Sequence, residues 1–392
     1  MTTPYWSLSA FYFLFFAVTG SLVPFWPLYL EYLGFGPVEI GTLVALVMVT
    51  KIVAPNLWGW VADRGARRMP LVRVAAIAAT LVFAAVTLSS RYWWIAALMV
   101  LFSFFWNSSL PQFEAVTLNH LGGRVERYTR IRLWGSVGFV VAVVGLGAIV
   151  DRLGADTVPV VVLVLLGSAA FCSLLVRDAP AATAPAGHGS LAAILRRPQV
   201  LALLAACLLM QAGHGPYYTF YSIYLEDHGY SPIAIGALWA LGVLAEVVVF
   251  IFMHRLVARF GLRLLFLLAF GLTALRWVMV AFLVDFLAAM VLAQLLHAAS
   301  FGLYHGVAIQ LVHRHFVASH QGRGQALYSS VSFGAGGAAG ALLAGYAWVG
   351  VGPTATWLGA GAMTFAALAV VWRFVAFPAP VLVPERARVP LQ

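Results

Sequence analysis

Apolar residues along this chain fall into long unbroken runs, and polar residues gather in the short gaps between them. Twelve runs can be traced, at residues 6–30, 37–61, 70–90, 92–117, 131–150, 158–176, 200–225, 232–254, 262–283, 286–312, 325–348 and 353–375. Each is close to the ~20 apolar residues that carry a helix across a bilayer. They lack the period-two alternation of lipid-facing strands, and a helix satisfies its backbone polar groups within itself. The first run has no basic region before it and no small-residue cleavage site, so it is expected to stay as the first span.

The pattern is duplicated. Tyr29–Leu46 reads YLEYLGFGPVEIGTLVAL and Tyr224–Leu241, 195 residues later, reads YLEDHGYSPIAIGALWAL, with ten of eighteen positions identical. Each copy passes a carboxylate (Glu31, Glu226), turns through Gly and Pro, and enters the next run. The expected fold is all-α and integral to the membrane, with twelve transmembrane helices in two pseudo-symmetric six-helix bundles. Residues 1–176 and 200–376 would form the bundles. Residues 177–199 would link them, because APAATAPAGHGS has little to bury, and 377–392 would be a tail.

Composition agrees: 63% of residues are hydrophobic and 9% charged, too little polar surface to coat a soluble globule. The formal net charge of +10 changes the picture only through its placement. With loops assigned alternately, 19 of the 23 Lys/Arg lie on the side that holds both termini, and seven of the thirteen acidic residues lie opposite. The positive-inside rule makes the basic side cytoplasmic, so the charge signals topology and no nucleic-acid partner is expected. Cys172 and Cys207 both sit inside apolar runs and support neither a disulfide nor a cysteine metal site. Neither an HExxH spacing nor a GxxxxGK[ST] loop occurs. An enzyme is not expected, nor any cofactor; any transport would draw on a gradient or be passive.

Charges inside the runs are the informative chemistry, since each costs on the order of 2.5–3.5 kcal/mol to insert. Lys51, Glu114 and Glu246 are such charges, and the 195-residue offset sets Lys51 against Glu246. They read either as a central polar pathway or as static ion pairs between helices. Polar and aromatic residues share faces with them at helical spacing. These are Asn107 with Glu114; Gln211 with Tyr218, and His214 at their shoulder; Gln294 with Phe301 and His305, with His297 and Tyr304 beside them; and Trp26 in the first run. His297, His305 and His313 lie eight apart, a rotation of about 80° per step on a helix of 3.6 residues per turn, so they are expected not to converge. Arg276, near the outer end of its run, is divided between that pathway and a structural role, snorkelling outward or pairing with Asp285.

Two sequences carry a family resemblance. Gly59-Trp-Val-Ala-Asp63-Arg64-Gly65-Ala-Arg67-Arg68 resembles the loop between the second and third spans of the major facilitator superfamily; its counterpart, Arg255 to Arg263, keeps Gly and Arg but lacks the acid. Tyr128 to Phe139, of the form YxRIRLWGSxGF, is similar to the phenylpropionate permease branch, which is related to the oligosaccharide and nucleoside proton symporters. The resemblance implies a substrate site near the midplane between two rocking halves and proton-coupled uptake. Glu246 or Glu114 would carry the proton, because a carboxyl group in the membrane changes protonation with its surroundings. Lys51 would take an anionic substrate group, and Trp26, Tyr218, Phe301 and Tyr304 would pack on a ring. Asp63, Arg64, Arg67, Arg130 and Arg132 would gate the cytoplasmic side. An aromatic carboxylate such as phenylpropionate is the first expectation. The alternative is a sugar or nucleoside, held by Asn107, Gln211, Gln294 and the carboxylates. Drug efflux is less favoured, because the fifth run, Gly135 to Val150, has no proline. A membrane scaffold or embedded enzyme would need an interaction domain or a convergent nucleophile, and neither is visible. A monomer in a bacterial-type inner membrane, its partners a small molecule, protons and lipid, completes the expectation.

Overall fold

The computed structural model describes residues 4–64, 67–122, 125–179, 191–316 and 320–377. Much of the linker and nearly all of the tail therefore lie outside the described residues. Within them, eleven helices are long and apolar enough to cross a membrane, and one of these, Pro232–Leu283, is 52 residues long. Gly261 inside it has φ 71° and ψ 162°, a backbone region essentially restricted to glycine. That single residue reverses the chain, so the long helix is two spans and the total is twelve.

In chain order the spans are α1 (Tyr5–Tyr32), α2 (Pro37–Arg64), α3 (Met69–Ala84), α4 (Tyr92–Leu121), α5 (Val125–Leu153) and α6 (Val158–Leu175). The second half follows with α7 (Pro198–Asp227), α8 (232–260), α9 (262–283), α10 (Leu287–His315), α11 (Gln321–Gly350) and α12 (Pro353–Phe374). α5 begins six residues before the apolar run that marks it, so Arg127 and Arg130 are helical rather than in a loop. α7 is interrupted at His214. α10 and α11 each contain a π-helical stretch, Ala298–Leu303 and Ser330–Gly336.

The repeat survives in atomic detail. After α1, Gly34 at φ 85° donates its N–H to the Glu31 carbonyl at 2.8 Å, and Phe35 donates to Leu30 at 3.2 Å. After α7, Gly229 at φ 80° donates to Glu226 at 2.9 Å, and Tyr230 donates to Leu225 at 3.0 Å. These are left-handed glycine caps, which close a helix by satisfying its last carbonyls.

Within the first half α1 packs along α5 and α6, α3 along α4 and α6, and α2 along α4. The halves meet chiefly through α2 against α11 and α5 against the 52-residue helix. Both seams have a close approach near their acidic ends, where small residues let backbones touch. A Cβ at Gly41 would fall 2.7 Å from the Ala341 carbonyl oxygen, and one at Gly236 would fall 2.6 Å from that of Val143.

Candidate transport site

The second half holds a connected polar network in its interior. Arg276 on α9 is fully buried; its Nη1 donates to His297 Nδ1 at 2.8 Å and Ser300 Oγ at 3.0 Å, and its Nη2 to Gln294 Oε1 at 3.2 Å. The guanidinium lies 4.2 Å from the Tyr217 ring centre and 4.7 Å from that of Trp277, within cation–π range. Tyr217 Oη also donates to Gln294 Oε1, at 3.3 Å. His297 Nε2 then lies 2.7 Å from Glu246 Oε1 on α8.

Arginine has only donors, so the nitrogen facing it, His297 Nδ1, must accept. The imidazole is then neutral with its proton on Nε2, donated to Glu246. Arg276 thereby sets the tautomer; Ser300 and Gln294 accept from its Nη1 and Nη2, the Tyr217 and Trp277 rings lie against it, and its Nε is buried without a hydrogen-bond partner among the described residues. Arg276 neither snorkels nor pairs with Asp285. Its reach inward depends on α10 presenting three polar residues to α9, a pairing the one-dimensional pattern does not contain.

The π-helical stretch in α10 also alters the histidine geometry. His297, Phe301 and His305 form a column, the Phe301 ring lying 6.0 Å from His297 at 30° and 5.7 Å from His305 at 16°. A regular helix would turn His305 away from His297; a π turn closes around more residues and brings the three into line. His305 Nδ1 is 3.0 Å from Tyr328 Oη, and Phe333, in the π-helical stretch of α11, lies 6.0 Å from Phe301. Among the described residues no group of His, Cys, Asp or Glu is arranged to hold a metal ion.

The first half has a smaller counterpart. Tyr128 Oη donates to Glu114 Oε1 at 3.2 Å, and Arg132 Nε stands 3.9 Å from the same oxygen. Both charged side chains keep about a third of their surface exposed (32% and 33%). The Arg132 guanidinium also lies 4.0 Å from the Phe16 ring centre. The YxRIRLWGSxGF stretch thus has a local explanation. Tyr128 and Arg132 flank Glu114, and a Cβ at Gly138 would overlap the Phe13 carbonyl, so its absence lets α5 press onto α1. Trp134 Nε1 donates to Tyr5 Oη at 3.1 Å.

Lys51 is partly buried on α2, with no ion pair among the described residues. Val49, Val53, Leu57 and Trp60 form the exposed face of that helix, and at 100° per residue Lys51 points the opposite way, between α4 and α11. One residue earlier, Thr50 accepts from Asn107 Nδ2 at 2.9 Å and donates to Ser103 at 2.9 Å, so Asn107 ties α4 to α2.

Other candidates are distributed as follows. Gln211 and His214 are buried on α7; His214 Nδ1 donates to the Met210 carbonyl at 2.8 Å, and its ring stacks on Tyr218 at 5.9 Å. Trp26 packs inside the first bundle against Tyr29 and Phe83. Tyr304 is fully buried, stacks with Phe266 and donates to the Cys207 carbonyl at 3.4 Å, within the second bundle's own core. Neither Trp26 nor Tyr304 joins the polar clusters. Arg64 lies over the Trp60 ring at 3.3 Å; Arg67 and Arg130 are exposed. Asp63 ends α2, but its side chain lies outside the described residues. Tyr217 and Ser300 complete the Arg276 cluster and carry no signal in helical spacing.

Comparison with known proteins agrees with this architecture. The model of the MFS_1 like family matches residues 5–359. The chain is 28% identical over 358 residues to an Escherichia coli K12 protein named "Probable 3-phenylpropionic acid transporter", covering 88% of this chain and 92% of that one. It is 30% identical over 346 residues to the maltose permease of Geobacillus stearothermophilus, covering 86% of each. A crystal structure of a mutant of the nucleoside transporter NupG superposes with a TM-score of 0.84 over 94% of this chain and 98% of that one, at 15% identity, a likeness of fold. The chain is a multi-pass membrane protein with the major facilitator fold and a secondary transporter of small organic solutes, and it belongs to the MFS_1 like family.

Proposed function

We propose that this protein is a proton-coupled symporter that takes up a sugar or nucleoside, with its basic side facing the cytoplasm. The observation that carries the reading is the chain Arg276–His297–Glu246. His297 already holds its one proton toward Glu246, and a second at Nδ1 would break the Arg276 bond. Glu246 is therefore the member that can accept a proton without first losing a partner. Protonation removes the carboxylate charge that holds the chain together and frees α8, α9 and α10 to shift, which is how a proton could drive a rocking step.

Glu114 and Arg132 supply an acceptor and a donor side by side and partly exposed, the chemistry that grips a pair of hydroxyls. The names of the maltose and nucleoside relatives support that class. A second reading, an aromatic carboxylate, is favoured by Lys51. The interior charges are Lys51, Arg132 and Arg276 against Glu114 and Glu246, one positive charge in excess, which an anion would balance; the 3-phenylpropionic acid relative points the same way.

The test is uptake of labelled maltose, a nucleoside and phenylpropionate into proteoliposomes, with and without an imposed pH gradient. Gradient-stimulated uptake of a sugar or nucleoside is the expected result. Stimulated uptake of the acid alone would choose the second reading, and uptake indifferent to the gradient would remove proton coupling.

A further inference from the structure

On the outer surface of the second half, α9 and α12 touch where Gly361 lies against Ala274 and Trp277 and open toward the basic side into a groove of ≈470 Å³. Its walls include Leu264, Leu268, Phe365, Leu368 and Trp372, with Gly271 near its inner end. A Cβ at Gly271 would meet nothing within 4 Å, so that glycine serves no close helix contact. It is about 1 kcal/mol worse than alanine in a helix, and what its missing side chain leaves is depth in the groove. From Leu264 to Leu272 the groove runs about 12 Å along α9, close to the depth of one leaflet of a ~30 Å hydrocarbon core.

Charge at its mouth has one sign. Arg263 immediately precedes Leu264 and Arg373 immediately follows Trp372, while Arg255 and Arg259 lie on the same turn, which carries no carboxylate. Arg255, Arg259 and Arg373 rest on the neighbouring rings of Phe252, Phe260 and Phe374. None of the four has an ion pair among the described residues. An apolar slot one leaflet deep beneath unpaired arginines matches a molecule with an acyl tail and an anionic head.

We propose that the α9–α12 groove binds one anionic glycerophospholipid of the basic-side leaflet, acyl chain against Gly271 and phosphate between Arg263 and Arg373. The full chain, reconstituted in vesicles of equal phosphatidylglycerol and phosphatidylcholine and extracted into mild detergent, can be weighed by native mass spectrometry. Wild-type protein should retain phosphatidylglycerol about tenfold over phosphatidylcholine. Gly271→Leu, whose Cβ meets no neighbour within 4 Å, puts a side chain into the groove and should remove the retained lipid. The double change Arg263→Gln with Arg373→Gln should remove the preference, and Arg323→Gln, on the same side but away from the groove, should not. Equal retention of the two lipids, full retention by Gly271→Leu, or loss in Arg323→Gln matching that of the double variant would each overturn the site.

Discussion

Glu246 shows how far a single residue's chemistry depends on what surrounds it. A carboxylate in a run of apolar residues signals function by its cost alone, yet its role follows from His297 at 2.7 Å and from Arg276 behind it. If Glu246 carries the proton, Glu246→Gln should abolish gradient-driven uptake while sparing counterflow exchange; equal loss of both, with protein still in the membrane, would assign it to binding or folding. Arg276→Gln removes the cation from a buried pair, a change that typically costs about 3–5 kcal/mol; a marked drop in thermal stability is expected, whereas Arg276→Lys should recover more of it while loosening the His297 tautomer. In the first half, Arg132→Gln removes a charged donor worth about 1.5–3 kcal/mol, so the apparent substrate constant should rise roughly 10- to 100-fold. Lys51→Gln should raise that constant for an anion and leave a neutral sugar nearly unchanged. Charged residues were legible in the sequence because membrane charges are rare. Their partners were not, because a partner on another helix leaves no periodic trace.

At the scale of the helix, the sequence was most informative where a local rule applies. The paired caps at Gly34 and Gly229 were visible as a repeated Gly-x-x-Pro turn, since cap geometry involves only neighbouring residues. Phe301 and His305 were legible on one face with His297 beside them, but the alignment of His297 with His305 was not, because counting 3.6 residues per turn fails across the π-helical stretch of α10. The early start of α5 was hidden too, because Arg127 and Arg130 look like loop charges, while Arg132, at the start of the run, finds Glu114 and the Phe16 ring only in the fold. Glycines on α5 set how closely it meets α1. Gly138→Val should therefore push the two helices apart and lower stability by about 1–3 kcal/mol, the usual cost of overpacking, measurable as a fall in melting temperature in detergent.

For the whole molecule, the two seams of α2 with α11 and α5 with α8 decide which side can open. Close backbone approaches lie near their acidic ends, at Gly41 and Gly236, while Glu114 and Arg132 each keep about a third of their side-chain surface exposed. A bulky side chain at the seam should bias the rocking equilibrium. Gly41→Leu is expected to keep the outer mouth from closing, so that a cysteine introduced at Thr42 becomes more reactive to an impermeant reagent added from outside, as uptake falls. Unchanged labelling would show that this contact does not shut the mouth. Twelve spans, a duplicated architecture and the basic face were all determined by the sequence alone, because hydrocarbon thickness, backbone hydrogen bonding and charge exclusion act on each segment independently. Which charges meet, which aromatic residues turn inward to a core and where a groove opens were decided by tertiary structure, because these depend on the rotation and crossing of helices distant in the chain.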